Sequence, residues 1–285
     1  MRSLPEMALL SMLAVGALAG CQRSDTTSTA LTAAALADRI AEAHGGMEAW
    51  NAAPSVRYEH TLHFPERAEG KTPSPWISRE VVEGAPARRV YQDWSSHGGT
   101  VVWDGSEVWS TDWNLGNPPK MMPYLVYYGL VAPWITHDPN VTLDPPGLEP
   151  IPGDSSRTYV TLTIRMPRDP SRPPTAGYLK IFADPETFEM KALSYNVTYG
   201  PMLDMMGLPP TMAEMGPITH IYDEYAEVGG LRVPVKYRTI GPDGSLAGTH
   251  DVTDWGFGQP FDEGRMRKPP GAVVDDGKDA RRVTS

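Results

Sequence analysis

The sequence holds 1 cysteine in 285 residues, and its 25 Lys and Arg are outnumbered by 35 Asp and Glu. The shortage of basic residues leaves a net charge of −10 and no basic run. A surface that neutralises phosphates is built from Lys and Arg, so nucleic acid is excluded as a partner class. Several enzyme signatures are missing too. There is no G-x-S-x-G elbow to present a serine nucleophile, no H-E-x-x-H helix to hold zinc, and no glycine loop to cradle phosphate. No catalytic residue, metal or cofactor is therefore assigned, and the expectation is a protein that is not an enzyme. Acidic neighbours such as Asp223 with Glu224 and Asp262 with Glu263 point apart on a strand and read as solvated surface. His60 and His63 are three apart, which on a strand sends them to opposite faces. His97, His137, His220 and His250 are scattered with no acidic partner at a fixed spacing, and His44 reads as a cation at a helix end.

What is present begins at the N-terminus. The stretch "MRSLPEMALLSMLAVGALAGC" has Arg2 near its start, an apolar run from Met7 to Leu18 and small residues before Cys21. That pattern is a secretory signal, too short to span a bilayer as a stable helix. Leu18, Ala19 and Gly20 followed by Cys21 resemble the lipobox of bacterial lipoproteins, which implies a lipidated Cys21 as the first mature residue. The resemblance also accounts for the otherwise odd thiol of an exported chain. Gln22 at the next position favours an outer-membrane address facing the periplasm, with the membrane as a partner through the lipid.

Residues 1–20 are thus a signal with lipobox, and 21–30 a polar tether after the lipidated cysteine. A domain spans 31–270, and 271–285 is a disordered tail. "LTAAALADRIAEAHGG" is a helix with Leu36 and Ile40 on one face and Gly45 at its left-handed cap, and Trp50 anchors the short turn after it. From Ser55 the hydrophobic period becomes two: Val56, Tyr58, His60, Leu62 and Phe64 share one face. Similar runs recur ten more times, from "WISREVVEG" to "THDVTDWGF", with turn chemistry at Asp104-Gly105, Gly229-Gly230 and Asp243-Gly244. Short links require antiparallel neighbours. The fold class is therefore mainly β with a few helices: a single antiparallel sheet of about ten strands curled into an unclosed barrel. "MMPYLVYYGLVAPW" reads as a short apolar helix broken at Pro133, which with the N-terminal helix covers the concave face. The proline-rich "DPPGLEPIPGD" and "PRDPSRPPTAG" read as rim loops.

Three motifs, "HGG" followed by an aromatic, "DPET" before a strand and "GG-L-x-V-P" opening another, together with the lipobox, resemble the superfamily of LolA/LolB-like outer-membrane lipoprotein-sorting proteins over about Leu36 to Pro260. The resemblance implies an unclosed antiparallel barrel whose helices cover an apolar cavity for acyl chains, in a periplasmic protein with a hydrophobic ligand or lipidated client as partner. Candidate cavity residues are Leu125, Tyr128, Val160, Leu162 and Ile164. The segment "PMLDMMGLPPTMAEMG" carries five of the 14 methionines. Its Met202, Met205, Met206, Leu208, Met212 and Met215 form an apolar loop that is a lid, a membrane contact, a soft-metal site or filler. The alternatives to a ligand carrier are a monovalent copper binder through methionines three apart, and a cell-envelope scaffold or an enzyme without a recognisable motif.

Overall fold

Apolar alternation dictates strands wherever one face of the chain is buried, and the computed structural model shows all eleven of the expected ones. It describes residues 31–66, 70, 73–83, 89–94, 97–165 and 177–277, and the side chains at 80–83, 124 and 125 lie outside that description. In chain order the elements are helices α1 (Ala33–Ala43) and α2 (Gly46–Ala52), then strands β1 (Ser55–His63), β2 (Trp76–Glu83), β3 (Val90–Asp93), β4 (Thr100–Trp103) and β5 (Val108–Thr111). Helix α3 (Met122–Ile135) leads to β6 (Thr142–Leu143), β7 (Gly147–Ile151), β8 (Asp154–Arg165), β9 (Tyr178–Ala183) and β10 (Met190–Val197). Helix α4 (Gly200–Met205) precedes β11 (Met215–Val228), β12 (Leu231–Ile240), β13 (Leu246–Phe257) and β14 (Val273–Val274).

All strands belong to one sheet, in the order β14-β5-β4-β3-β2-β1-β13-β12-β11-β10-β9-β8-β6, with β7 also on β8. Two hairpin meanders, β1 to β5 and β8 to β13, are therefore fused side by side through the antiparallel pair of β1 and β13. The sheet does not close, because no pairing joins its β14 edge to its β6 edge among the described residues. The other three strands, β6, β7 and β14, are not legible in the sequence. β7 runs through "GLEPI", part of a stretch expected to be a rim loop; Pro150 is tolerated there because β7 lies on an edge and pairs with β8 alone. β14 lies inside the stretch expected to be a disordered tail, where Val273 and Val274 pair with Ser110 and Trp109. Asp275 after it accepts from the backbone N–H of Lys120 at 3.0 Å and from the Tyr199 hydroxyl at 2.6 Å, which ties the chain ahead of α3 to the chain ahead of α4. The second proline-rich stretch and residues 278–285 lie outside the described residues.

Helix α1 starts at Thr32, whose hydroxyl accepts the Ala35 N–H, and buries Leu36 and Ile40 completely. It ends at His44, as expected, but the ring is not the cation that position would favour. His44 is fully buried, and burial lowers its pKa to about 4, so the ring is neutral. Its Nδ1–H donates to the Arg232 carbonyl at 2.9 Å, and its Nε2 accepts the Met190 N–H at 3.0 Å. The next residue is glycine because a Cβ on Gly45 (φ +96°) would stand 2.2 Å from the Gly230 carbonyl oxygen in the β11–β12 turn.

Helix α3 differs from expectation in running through Pro133 to Ile135. A proline inside a helix removes the N–H that would satisfy the carbonyl four residues earlier. That carbonyl belongs to Gly129, and the Tyr222 hydroxyl from the sheet donates to it instead. Trp134 stacks on Trp50 of α2 at 4.6 Å, joining the two covers. Among the described residues no helix is long and apolar enough to cross a membrane.

Replacing His44 with Ala leaves a buried N–H and a buried carbonyl unpaired, each worth about 1–3 kcal/mol. His44→Ala is therefore expected to lower unfolding free energy by about 2–5 kcal/mol in denaturant titrations. An unchanged denaturation midpoint would show that the ring is not a structural latch.

Candidate functional site

The inward face of β1 and its neighbours across the β1–β13 seam carries imidazoles, aromatic rings and a threonine. A cavity of about 500 Å³ remains between them and the covers. The sheet supplies His60, Leu62, Trp76, Tyr195, His220, Tyr237, Thr239, Gly248 and His250; α3 supplies Met122 and Val126; and α4 supplies Met202 and Met205. Phe64, Trp94, Ala247 and the loop Leu115 to Asn117 add to the wall, which among the described residues contains no Asp, Glu, Lys or Arg. The cavity opens to solvent beside Met205, which is 49% exposed.

The three imidazoles of the wall belong to one hydrogen-bonded chain. His220 Nδ1 and Thr239 Oγ1 are 2.8 Å apart, Thr239 Oγ1 and His250 Nε2 2.8 Å, and His250 Nδ1 and His60 Nε2 2.8 Å. The Tyr237 hydroxyl lies 3.1 Å from His60 Nε2 and its ring stacks on His250 at 4.0 Å. Burial drives the pKa of His60 down to about 3 and that of His220 to about 4. It lowers His250 as well, helped by the imidazoles of His60, His220 and His63. All three rings are neutral at pH 7, with one N–H and one lone pair each. The chain of protons therefore runs in one of two directions. In one, His220 Nε2 is left as a donor and His60 Nδ1 as an acceptor; in the other, the roles reverse. His60 Nδ1 is sealed and has no partner. His220 Nε2 likewise has no hydrogen-bond partner among the described residues but is not sealed, and it lies beside α3 at Gly129, 3.6 Å from where a Cβ would stand.

In sequence these histidines are scattered, and their spacing gives no sign of the cluster. The register brings them together: Leu62 faces His250 across β1–β13, Tyr237 faces His250 across β12–β13, and His220 faces Thr239 across β11–β12. The available signal was that each ring occupies an inward position of a period-two strand, as His60 does between Tyr58 and Leu62.

The cavity residues expected from sequence lie elsewhere. Leu162 and Ile164 are fully buried in the solid core on the α1 side of the sheet, and Val160 and Tyr128 pack partly buried against that core. None of these four lines the cavity, because α1 packs against β8 and fills the space there. The Leu125 side chain lies outside the description, as do Leu18, Ala19, Gly20 and Cys21. The methionine loop divides. Met202 and Met205 line the cavity from α4, Leu208 and Met215 pack partly buried against the core, and Met206 and Met212 are exposed. No group of three or more His, Cys, Asp or Glu among the described residues is arranged to hold a metal ion.

No family model matches the chain, and no curated protein sequence matches it. Its fold is similar to that of a LolA superfamily protein from Nitrosomonas europaea, at 11% identity over 84% of this chain and 99% of that one, with a TM-score of 0.50. It is also similar to a DUF1329 family protein from Desulfovibrio piger, at 8% identity over 82% of this chain and 97% of that one, with a TM-score of 0.50. At these identities the likeness is one of fold: the chain has the LolA-like architecture of an open antiparallel sheet with covering helices.

Buried neutral histidines make stability depend on pH in a fixed direction. Their folded pKa values lie below the unfolded value of 6.5, so between about pH 6.5 and 4 the unfolded chain binds more protons and stability rises with pH. His44 or His220 alone contributes on the order of 2 kcal/mol of lost stability by pH 5. Thermal melts are expected to show Tm falling from pH 7 to pH 5, with a shallower fall in His220→Phe. A Tm that holds or rises over that range would mean the rings are not buried neutral.

Proposed function

We propose that this protein is a lipid-anchored binder of the bacterial cell envelope that holds one acyl chain, or the acyl chain of a lipidated client, in the cavity beneath α3 and α4. The observation that carries this proposal is a volume of about 500 Å³ with no charged lining residue among those described, walled on one side by apolar residues of α3 and α4. Small-molecule sites typically occupy about 300–1,000 Å³ and are mostly apolar with a few placed polar groups. The LolA-like fold supports the same assignment, and the lipobox ending at Cys21 supports an anchor at the outer membrane facing the periplasm. Met202 and Met205 sit on the helix at the mouth, where unbranched thioethers adapt to chains of different shape. Met206 and Met212 are exposed just beyond and offer an apolar surface to a membrane or client. Binding follows from apolar burial at about 0.8 kcal/mol per CH₂, less the ordering of the chain.

A second proposal, monovalent copper, is favoured by one observation: Met122, Met202 and Met205 line the same cavity as three imidazoles. One double variant separates the two. Met202→Gln with Met205→Gln keeps side-chain length while removing the apolar sulfur. In the Cys21→Ala chain it is expected to weaken a fluorescent fatty-acyl probe by about five- to tenfold, with Tm nearly unchanged. Unaltered probe affinity, with loss of stabilisation by monovalent copper, would replace the acyl proposal by the metal one. Metabolic labelling with a fatty-acid analogue, lost in Cys21→Ala, checks the anchor.

A further inference from the structure

Within the cavity just assigned to an apolar ligand, one wall is out of place. A site for hydrocarbon alone is lined by apolar atoms, since a polar group facing it loses its water without compensation. Here His60, His220, His250, Tyr237 and Thr239 all stand on the sheet wall, each less than a tenth exposed. They are joined into one hydrogen-bonded chain whose unsealed end is His220 Nε2. The opposite wall, Met122 and Val126 of α3, is apolar.

We infer that the ligand is a neutral amphiphile, an apolar chain carrying an uncharged hydroxyl or ester oxygen that hydrogen-bonds to His220 Nε2, and not a fatty carboxylate or a phospholipid. The inference rests on the acyl-binding assignment and narrows it. Two physical arguments support the choice of a neutral head. Among the described residues no Lys or Arg lines the cavity to balance an anion, and a carboxylate or phosphate taken out of water without a counter-charge is disfavoured by several kcal/mol. The hydrogen-bond chain can present either a donor or an acceptor at His220 Nε2. A hydroxyl serves both directions, and an ester or ether oxygen serves the donor direction. Helix α3 is held at this place by the sheet, since the Tyr222 hydroxyl donates to the freed Gly129 carbonyl.

The experiment uses the full chain carrying Cys21→Ala, purified without detergent, and a fluorescent monoacylglycerol displaced by competitors at pH 8. 1-Monooleoylglycerol is expected to compete about tenfold or more better than oleate or oleoyl lysophosphatidate, which share its chain. In His220→Phe and in Thr239→Val that preference should shrink to about twofold while binding of the probe persists; Thr239→Ser, which keeps the hydroxyl, should retain it. If a variant does not fold, the parent's head-group preference and the Thr239→Ser result still decide the matter. Oleate or lysophosphatidate competing as well as the neutral lipid would overturn the neutral head and leave the acyl assignment standing. Failure of the probe and of every competitor to bind the folded parent would overturn both.

Discussion

The fold is organised around one imidazole. His44, at the end of α1, uses both ring nitrogens inside the protein: one donates to the Arg232 carbonyl on β12, the other accepts the Met190 N–H on β10. Strands β10 and β12 are not neighbours in the sheet, since β11 lies between them. A helix end that grips both fixes its own position over three strands. The surrounding residues reinforce that grip. Gly45 touches the turn at Gly230, Tyr225 donates to the Met190 carbonyl, and Glu189 holds Arg232 at 2.6 Å. Asp184 caps the turn that delivers Glu189, accepting from Glu186 and Thr187 at 2.9 and 3.1 Å. The three motifs that carry the resemblance to the LolA/LolB-like superfamily therefore meet at one place, and what they do there is structural.

From this latch the rest of the cover follows. Helix α2 continues directly from Gly45, and Trp50 on it stacks against Trp134 of α3. Helix α3 is held from below by Tyr222, at the carbonyl that Pro133 leaves free. Its start is held by Gln92, which donates to the Met122 carbonyl at 3.1 Å, and by the Asp275 clamp. With α1 filling the β8 end of the sheet, the space left open lies above the β1–β13 seam. The fold thus leaves its cavity where the histidines converge, and burial keeps them neutral there.

Much of this was legible in the sequence because it is local. Period-two alternation located the long strands, Leu36 and Ile40 marked the buried stripe of α1, and Gly-containing pairs marked the tight turns. What escaped depends on pairings between distant residues. His60 and His250 are 190 positions apart and meet only because β1 pairs with β13. Nothing in either strand alone specifies that partner. The stretch around Leu162 has the same alternation as a cavity wall, and only the helix lying on it makes it solid core. Pro133 reads as a break because local rules leave the Gly129 carbonyl without a partner, whereas the sheet supplies one in Tyr222.

The central claim is that the cavity holds an apolar ligand, and native mass spectrometry of the Cys21→Ala protein, purified without detergent from a bacterial host, tests it most directly. The account predicts a bound population heavier than the bare chain by the mass of one lipid, released on organic extraction and diminished when Val126→Asp places a carboxylate in the wall. Bare mass alone, unchanged after incubation with total envelope lipid, would contradict it.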